Sequence, residues 1–214
     1  MGLEFQYCPT CDVVFISKQP LEKCPTCERT DLRDAIIEGE IYNEVLECPY
    51  CGSREVFDVY TGELVIYPQQ RRVSAGASAL SWYCAECTKT GESSGDSFDV
   101  EETKLVDITW EEFLRELLGL PEEALRPGTR TLLYFHLYDQ LVDINDIFLI
   151  ESTNSTEEVA LDNFDSFTIT RKNGDRVPVL FKSKEEIRKN LLIVDTKENR
   201  ILYLGKLVPP EALV

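Results

Sequence analysis

All eight cysteines of this 214-residue chain fall in four Cys-x-x-Cys pairs: Cys8/Cys11, Cys24/Cys27, Cys48/Cys51 and Cys84/Cys87. Thiols at that spacing support two kinds of chemistry. A single pair at the start of a helix, behind a buried strand, performs thiol–disulfide exchange. Two pairs brought together offer four sulfurs, the donor set of a tetrahedral zinc. None of the four pairs has the strand-then-helix setting, and a secreted disulfide framework rarely spaces every cysteine this way. The pattern therefore predicts two Zn ions, each held by four cysteines. Sequential pairing, first with second and third with fourth, closes the smaller loops; a cross-braced pairing is also compatible with the sequence. Either way four protein sulfurs leave no open position for an activated water, so both metals are structural.

The elements around the cysteines must present two sulfurs each. Between Cys11 and Cys24 lie twelve residues, in which "VVFI" reads as a strand and "SKQPLEK" as a turn and return strand. Proline after the first cysteine helps set a tight turn that aims backbone N–H groups at sulfur. Between Cys51 and Cys84 lie thirty-two residues. There "EVFDVY" and "LVIY" read as strands around a turn at "TGE", and "PQQRRVSAGASA" as a mobile loop. Gly52 stands where such a knuckle needs positive φ.

Both stretches read as zinc ribbons, the first with rubredoxin-like "CPTC" knuckles. The second, from "CPYCGS" to "YCAEC", resembles ribbons of small phage and bacterial proteins, including the restriction-alleviation family. Thr88 stands where that class usually has glycine. The resemblance implies a metal fold and no particular activity. Ribbons that assist polymerase active sites carry an acidic pair at the hairpin tip; the corresponding residues here are Ala75-Gly76-Ala77, which does not support that activity.

Beyond the cysteines, the organisation expected is α+β: ribbon 1 over 1–39, ribbon 2 over 40–91, an acidic linker and helix over 92–126, and an α+β domain with β-hairpins over 127–214. "GESSGDSFDVEE" reads as linker. Thr109 caps a helix over "WEEFLRELL", ended by Gly119 and Pro121. Residues 129–150 suit a helix or strands equally. Hairpins are expected around Asn173-Gly174 and around "TKEN", with a Ser183-capped helix between them.

Charge separates the function classes. The formal net charge is −17, and Glu92–Asp165 holds nineteen acidic and four basic side chains. Eight thiolates on two zinc ions bring the total to about −21. A phosphate backbone is then reachable only through local patches. The candidates are Arg71 and Arg72 with Trp82 in the second ribbon, and Arg171, Lys172 and Arg176 around the hairpin turn. The simpler reading of the latter, with Lys182, Lys184, Arg188 and Lys189, is internal pairing with the acidic middle. The single histidine, His136, sits in an apolar run and is expected to be buried or half-buried. No phosphate loop, nucleophile elbow or His-Glu-x-x-His motif occurs. No signal peptide or membrane span is indicated, which suggests a cytoplasmic protein. The expectation is a non-enzymatic adaptor that docks onto a protein or ribonucleoprotein assembly handling nucleic acid, without membrane. Direct nucleic-acid binding, and acidic DNA mimicry that inhibits a DNA-binding enzyme, are the alternatives.

Overall fold

Val13–Ile16 is buried at every position because both of its faces are covered. The computed structural model describes residues 2–34, 47–92, 97–100, 102–156, 164, 166–171 and 178–213. In it Val14 and Ile16 join the main core, while Val13 and Phe15 pack with the first cysteine cluster. A strand so placed has no polar face, which is why its sequence shows an unbroken apolar run.

The amino-terminal half contains β1 (Glu4–Cys8), β2 (Val13–Ser17), β3 (Arg33–Asp34), β4 (Val56–Tyr67), β5 (Arg72–Cys84), β6 (Thr90–Glu92), β7 (Ser97–Val100) and β8 (Thr103–Val106). Then follow α1 (Trp110–Leu118), β9 (Thr129–Phe135), β10 (Gln140–Asp143), β11 (Ile147–Thr156), β12 (Ser166–Arg171), β13 (Val179–Phe181), α2 (Lys184–Lys189), β14 (Leu191–Asp195) and β15 (Arg200–Leu204). The α+β expectation resolves into a mostly β fold with two short α-helices among the described residues.

Three sheets form. One has the order β3-β1-β2-β8 and another β10-β9-β14-β15; the largest runs β13-β12-β11-β4-β5-β6, with β7 also along β5. Register shows how the largest sheet meets the core. Ile150 pairs with Ile66 and Ile169, Ile66 with Val73, and Ile169 with Val179, so one apolar row crosses five strands. The buried cluster draws on all three sheets and α1, from Leu3 to Ile193. Strands of the second cysteine-bearing stretch and of the carboxy-terminal segment thus share one sheet and one core.

Helix α1 begins as its sequence predicts. The Glu112 N–H donates to Thr109 Oγ1 at 3.2 Å and the Thr109 N–H to Glu112 Oε2 at 2.9 Å, a reciprocal cap. It buries Phe113, Leu114, Leu117 and Leu118, and Gly119 ends it at φ 64°. A Cβ there would stand 2.9 Å from Lys184 Cβ, so close approach as well as backbone conformation favours glycine. Ser183 caps α2, and β14 and β15 pair around "TKEN" as expected.

Several expectations need correction. The partner of "VVFI" is not a return strand at 18–23 but the upstream β1, paired from Glu4↔Ser17 to Cys8↔Val13. "TGE" is not a turn: Thr61, Gly62 and Glu63 continue β4 and pair with β5 on one side and β11 on the other. The supposed mobile loop is mostly β5, with the turn confined to Pro68–Arg71. The supposed linker contains β7, which pairs Ala75↔Val100 along β5. Residues 129–150 are strands joined by tight turns. His136 is exposed in the turn between β9 and β10 rather than buried. β12 and β13 pair antiparallel, but Asn173-Gly174 lies outside the described residues.

Candidate metal centres

The sulfurs come together in the sequential arrangement. Cys8, Cys11, Cys24 and Cys27 form one group and Cys48, Cys51, Cys84 and Cys87 the other, with all Sγ atoms of a group within 4.8 Å of one another. The cross-braced alternative is thereby excluded. Cross-knuckle separations are 3.6 Å for Cys8–Cys27, 3.8 Å for Cys11–Cys24, 3.5 Å for Cys48–Cys87 and 3.6 Å for Cys51–Cys84. A disulfide would need about 2.05 Å. The edge of a tetrahedron with Zn–S bonds of about 2.3 Å is about 3.8 Å. The donor set and its spacing fit zinc.

One turn builds all four knuckles. The N–H of the residue after the second cysteine donates to the carbonyl of the first: Asp12 to Cys8, Glu28 to Cys24, Gly52 to Cys48 and Thr88 to Cys84, at 2.8–2.9 Å. Those four residues adopt φ of 55°, 60°, 71° and 60°. The left-handed position anticipated at Gly52 is therefore general, and Thr88 adopts it without being glycine. Three knuckles close with the first cysteine's N–H donating to a carbonyl five residues on, at Arg29, Ser53 and Lys89. In the remaining knuckle β1 and β2 supply the equivalent pair, Cys8↔Val13. Sequence reading missed Asp12, Glu28 and Thr88, although their position relative to Gly52 was visible. Tyr7 donates to Asp12 Oδ1 at 2.8 Å and holds the first knuckle to β1. Burial and this carboxylate push the Tyr7 hydroxyl up to about 12.

Backbone donors prepare the sulfurs for metal. The N–H groups of Thr26 and Cys27 each lie 3.4 Å from Cys24 Sγ. Burial opposes ionisation of Cys24, but these donors outweigh it and bring the thiol down to about 6. Cys48 behaves alike: burial raises it, the Tyr50 and Cys51 amides prevail, and it falls to about 7. Without a cation Cys8, Cys11, Cys51 and Cys87 are instead shifted up, toward the protonated form. Hydrogen bonding to Cys27, followed by burial, pushes Cys11 up to about 12. A divalent ion at the centre removes that conflict, because it favours all four thiolates together. Apparent folding free energy of about 10–16 kcal/mol per site is the scale for such zinc binding.

The two sites differ in their surroundings. The first packs on Val13 and Phe15, with Leu21, Leu32 and Val106 around it. The second packs on Trp82 and Val56, and Cys51 is exposed.

The other candidate residues do not converge. Trp82 is 4% exposed and belongs to the shell of the second metal site, which corrects its reading as a contact residue. Arg71 pairs with Glu111 at 2.5 Å, and the Arg72 guanidinium lies 4.2 Å from the Tyr67 ring centroid. These arginines are at the tip of the β4–β5 hairpin, whereas Trp82 pairs with Asp58 near its base. Arg171 donates to Gln140 and stacks over Tyr138 at 4.4 Å. Lys172 and Arg176 lie outside the described residues. Lys184 Nζ is 3.5 Å from the Glu116 carbonyl and Arg188 donates to the Gly119 carbonyl, so two members of the basic patch meet the carboxy-terminal end of α1 inside the acidic segment.

The chain matches no protein-family model, no curated protein and no solved structure. Among the described residues no helix is long and apolar enough to cross a membrane.

Proposed function

We propose that the protein is a non-enzymatic adaptor: two structural zinc ribbons within a mostly β scaffold that docks onto a larger, nucleic-acid-handling protein assembly. The observation that carries this reading is the β15 edge of the β10-β9-β14-β15 sheet. Leu133, Phe135, Leu191 and Ile193 belong to the main core, whereas on the alternate row Leu132 and Leu192 are buried outside it and Val194 is half-buried. Leu204 pairs with Leu192 and Ile201 with Val194, extending those rows onto the last strand of the sheet. There they are 47% and 49% exposed, and Leu207, just beyond, is 52% exposed. Native sheets guard such edges with lysine, proline or a covering element. β15 reads "RILYL", with neither lysine nor proline. An apolar row beside an edge strand suits recognition of another protein.

The alternatives have less support. Direct nucleic-acid binding would need Arg71, Arg72 and Trp82 at one surface, and they are respectively ion-paired, stacked and buried. DNA mimicry would need the acidic run to face solvent undivided, yet Glu111 and Glu112 pair with Arg71 and Lys18.

The test is affinity capture from nuclease-treated host extract with the wild type and with an Ile201→Glu/Leu204→Glu variant. The adaptor reading expects a defined partner set that the variant loses. Equal capture by both, or none by the wild type, contradicts it. Salt-sensitive retention on immobilised DNA or RNA would favour the nucleic-acid alternative.

A further inference from the structure

Of the eight metal-site cysteines, Cys51 alone is exposed. Its position-equivalent in the first site, Cys11, is half-buried, and that site has the fuller apolar shell. Around Cys51 the cover is thin: the neighbouring Tyr50 is itself 65% exposed, and Trp82 and Val56 pack against the buried side of the cluster. A cysteine on zinc is held as thiolate, so access becomes the main control on its reaction with oxidants.

We propose that Cys51 is a modification site for hydrogen peroxide, through which the second zinc, and not the first, is released. The proposal rests on reading the second cluster as a zinc centre. The Cys51 thiolate attacks one peroxide oxygen; a sulfur–oxygen bond forms, the oxygen–oxygen bond breaks, and the hydroxide that leaves takes a proton to become water. Cys51 is then a sulfenic acid. Cys84 Sγ lies 3.6 Å away on the other knuckle and is itself buried, so it meets this sulfur from within the cluster. Its thiolate attacks the sulfenic sulfur, the sulfur–sulfur bond forms, and a second hydroxide leaves and is protonated. Two sulfurs have then lost two electrons and one peroxide has become two waters. Cys48 and Cys87 remain as thiolates, and two sulfurs hold zinc far more weakly than four.

The consequence is local to one end of a long hairpin. Val56↔Cys84 is the last pair at the base of β4 and β5, whereas Ile66 and Val73 near the tip are in the main core. Loss of the second zinc frees the base while the core half of the hairpin stays in place.

The test uses the full-length, zinc-loaded chain. Metal content is measured first, then hydrogen peroxide is added; zinc release is followed with a chromogenic chelator, and quenched samples are denatured, stripped of metal and alkylated so that mass spectrometry reports which cysteines are still reduced. One zinc is expected to leave at least about tenfold faster than the other. Cys51 and Cys84 are expected to lose alkylation first and to appear in one disulfide-linked peptide, with Cys8, Cys11, Cys24 and Cys27 unchanged. Release of both ions together, earlier oxidation of the first site, or release of one ion while Cys51 still alkylates would overturn the proposal. Fewer than two zinc ions before peroxide would overturn the metal reading beneath it.

Discussion

Lys18 Nζ lies 2.5 Å from Glu112 Oε1, while the adjacent Glu111 reaches Arg71 at the same distance. Two neighbouring glutamates in the first turn of α1 therefore hold the segment after β2 and the tip of the β4–β5 hairpin. At their other ends the β1–β2 hairpin carries Cys8 and Cys11 and the β4–β5 hairpin carries Cys84. Partly exposed ion pairs contribute little stability on their own. Their effect here is to set where two cysteine-bearing arms stand relative to one helix.

That contact should be visible in the response to acid. Hydrogen bonding to Lys18 first, then to the Thr109 amide and hydroxyl, brings the Glu112 carboxyl from 4.5 down to about 2. Its folded value is depressed, so its stabilisation is complete above the unfolded value and is lost as pH falls toward 2. Glu112→Gln should destabilise the protein at pH 7 and progressively less between pH 4.5 and pH 2, measured by urea unfolding. A stability difference that does not change over that range would contradict the assignment.

Thr88 carries backbone strain that its equivalent Gly52 does not. A β-branched residue at φ 60° is disfavoured by its own Cβ. Thr88→Gly should stabilise the second site by roughly 1 kcal/mol, seen as a higher melting temperature and slower zinc loss to a chelator. A lower melting temperature would mean that the threonine side chain contributes more than the strain costs.

Phe15 is 1% exposed and belongs to the apolar cluster around the first site. Phe15→Ala should cost about 3–5 kcal/mol in chemical denaturation. It should also speed zinc loss from the first site and leave the second unchanged. Equal loss from both sites would show that the two centres are coupled through the core.

What the sequence made legible followed from local rules. Cysteine spacing specified the four two-sulfur turns, because two sulfurs per turn is a short-range property, whereas which turns share a site is a long-range property that only the folded chain displays. The Thr109 and Ser183 caps marked helix starts for the same reason. What misled was composition overridden by pairing. "SAGASA" looks like a loop, and "TGE" like a turn, until Gly62 is seen bonded between Ala77 and Asn154 in a central position. Strand neighbours on both sides supply the backbone partners that propensity alone would not predict. "VVFI" was legible as a strand, but its partner lay before the first cysteine rather than after the second.

The turn itself was also readable in hindsight. Asp139 and Asn199 hold φ of 50° and 48° four residues after Phe135 and Asp195, the same placement that Asp12 has after Cys8. Tyr134 donates to Asp139 as Tyr7 does to Asp12, at 2.8 Å in both cases. Turns with the left-handed residue in the same place thus serve the metal knuckles and two ordinary hairpins. Cysteine at two positions turns the common form into a metal ligand pair.

The most direct measurement is the metal content of the purified chain, by elemental analysis against protein concentration and by native mass spectrometry. The account predicts two zinc ions per chain, with all eight cysteines protected from alkylation until the metal is removed. A value near zero or one, or free alkylation of either group of four in the loaded protein, would contradict it.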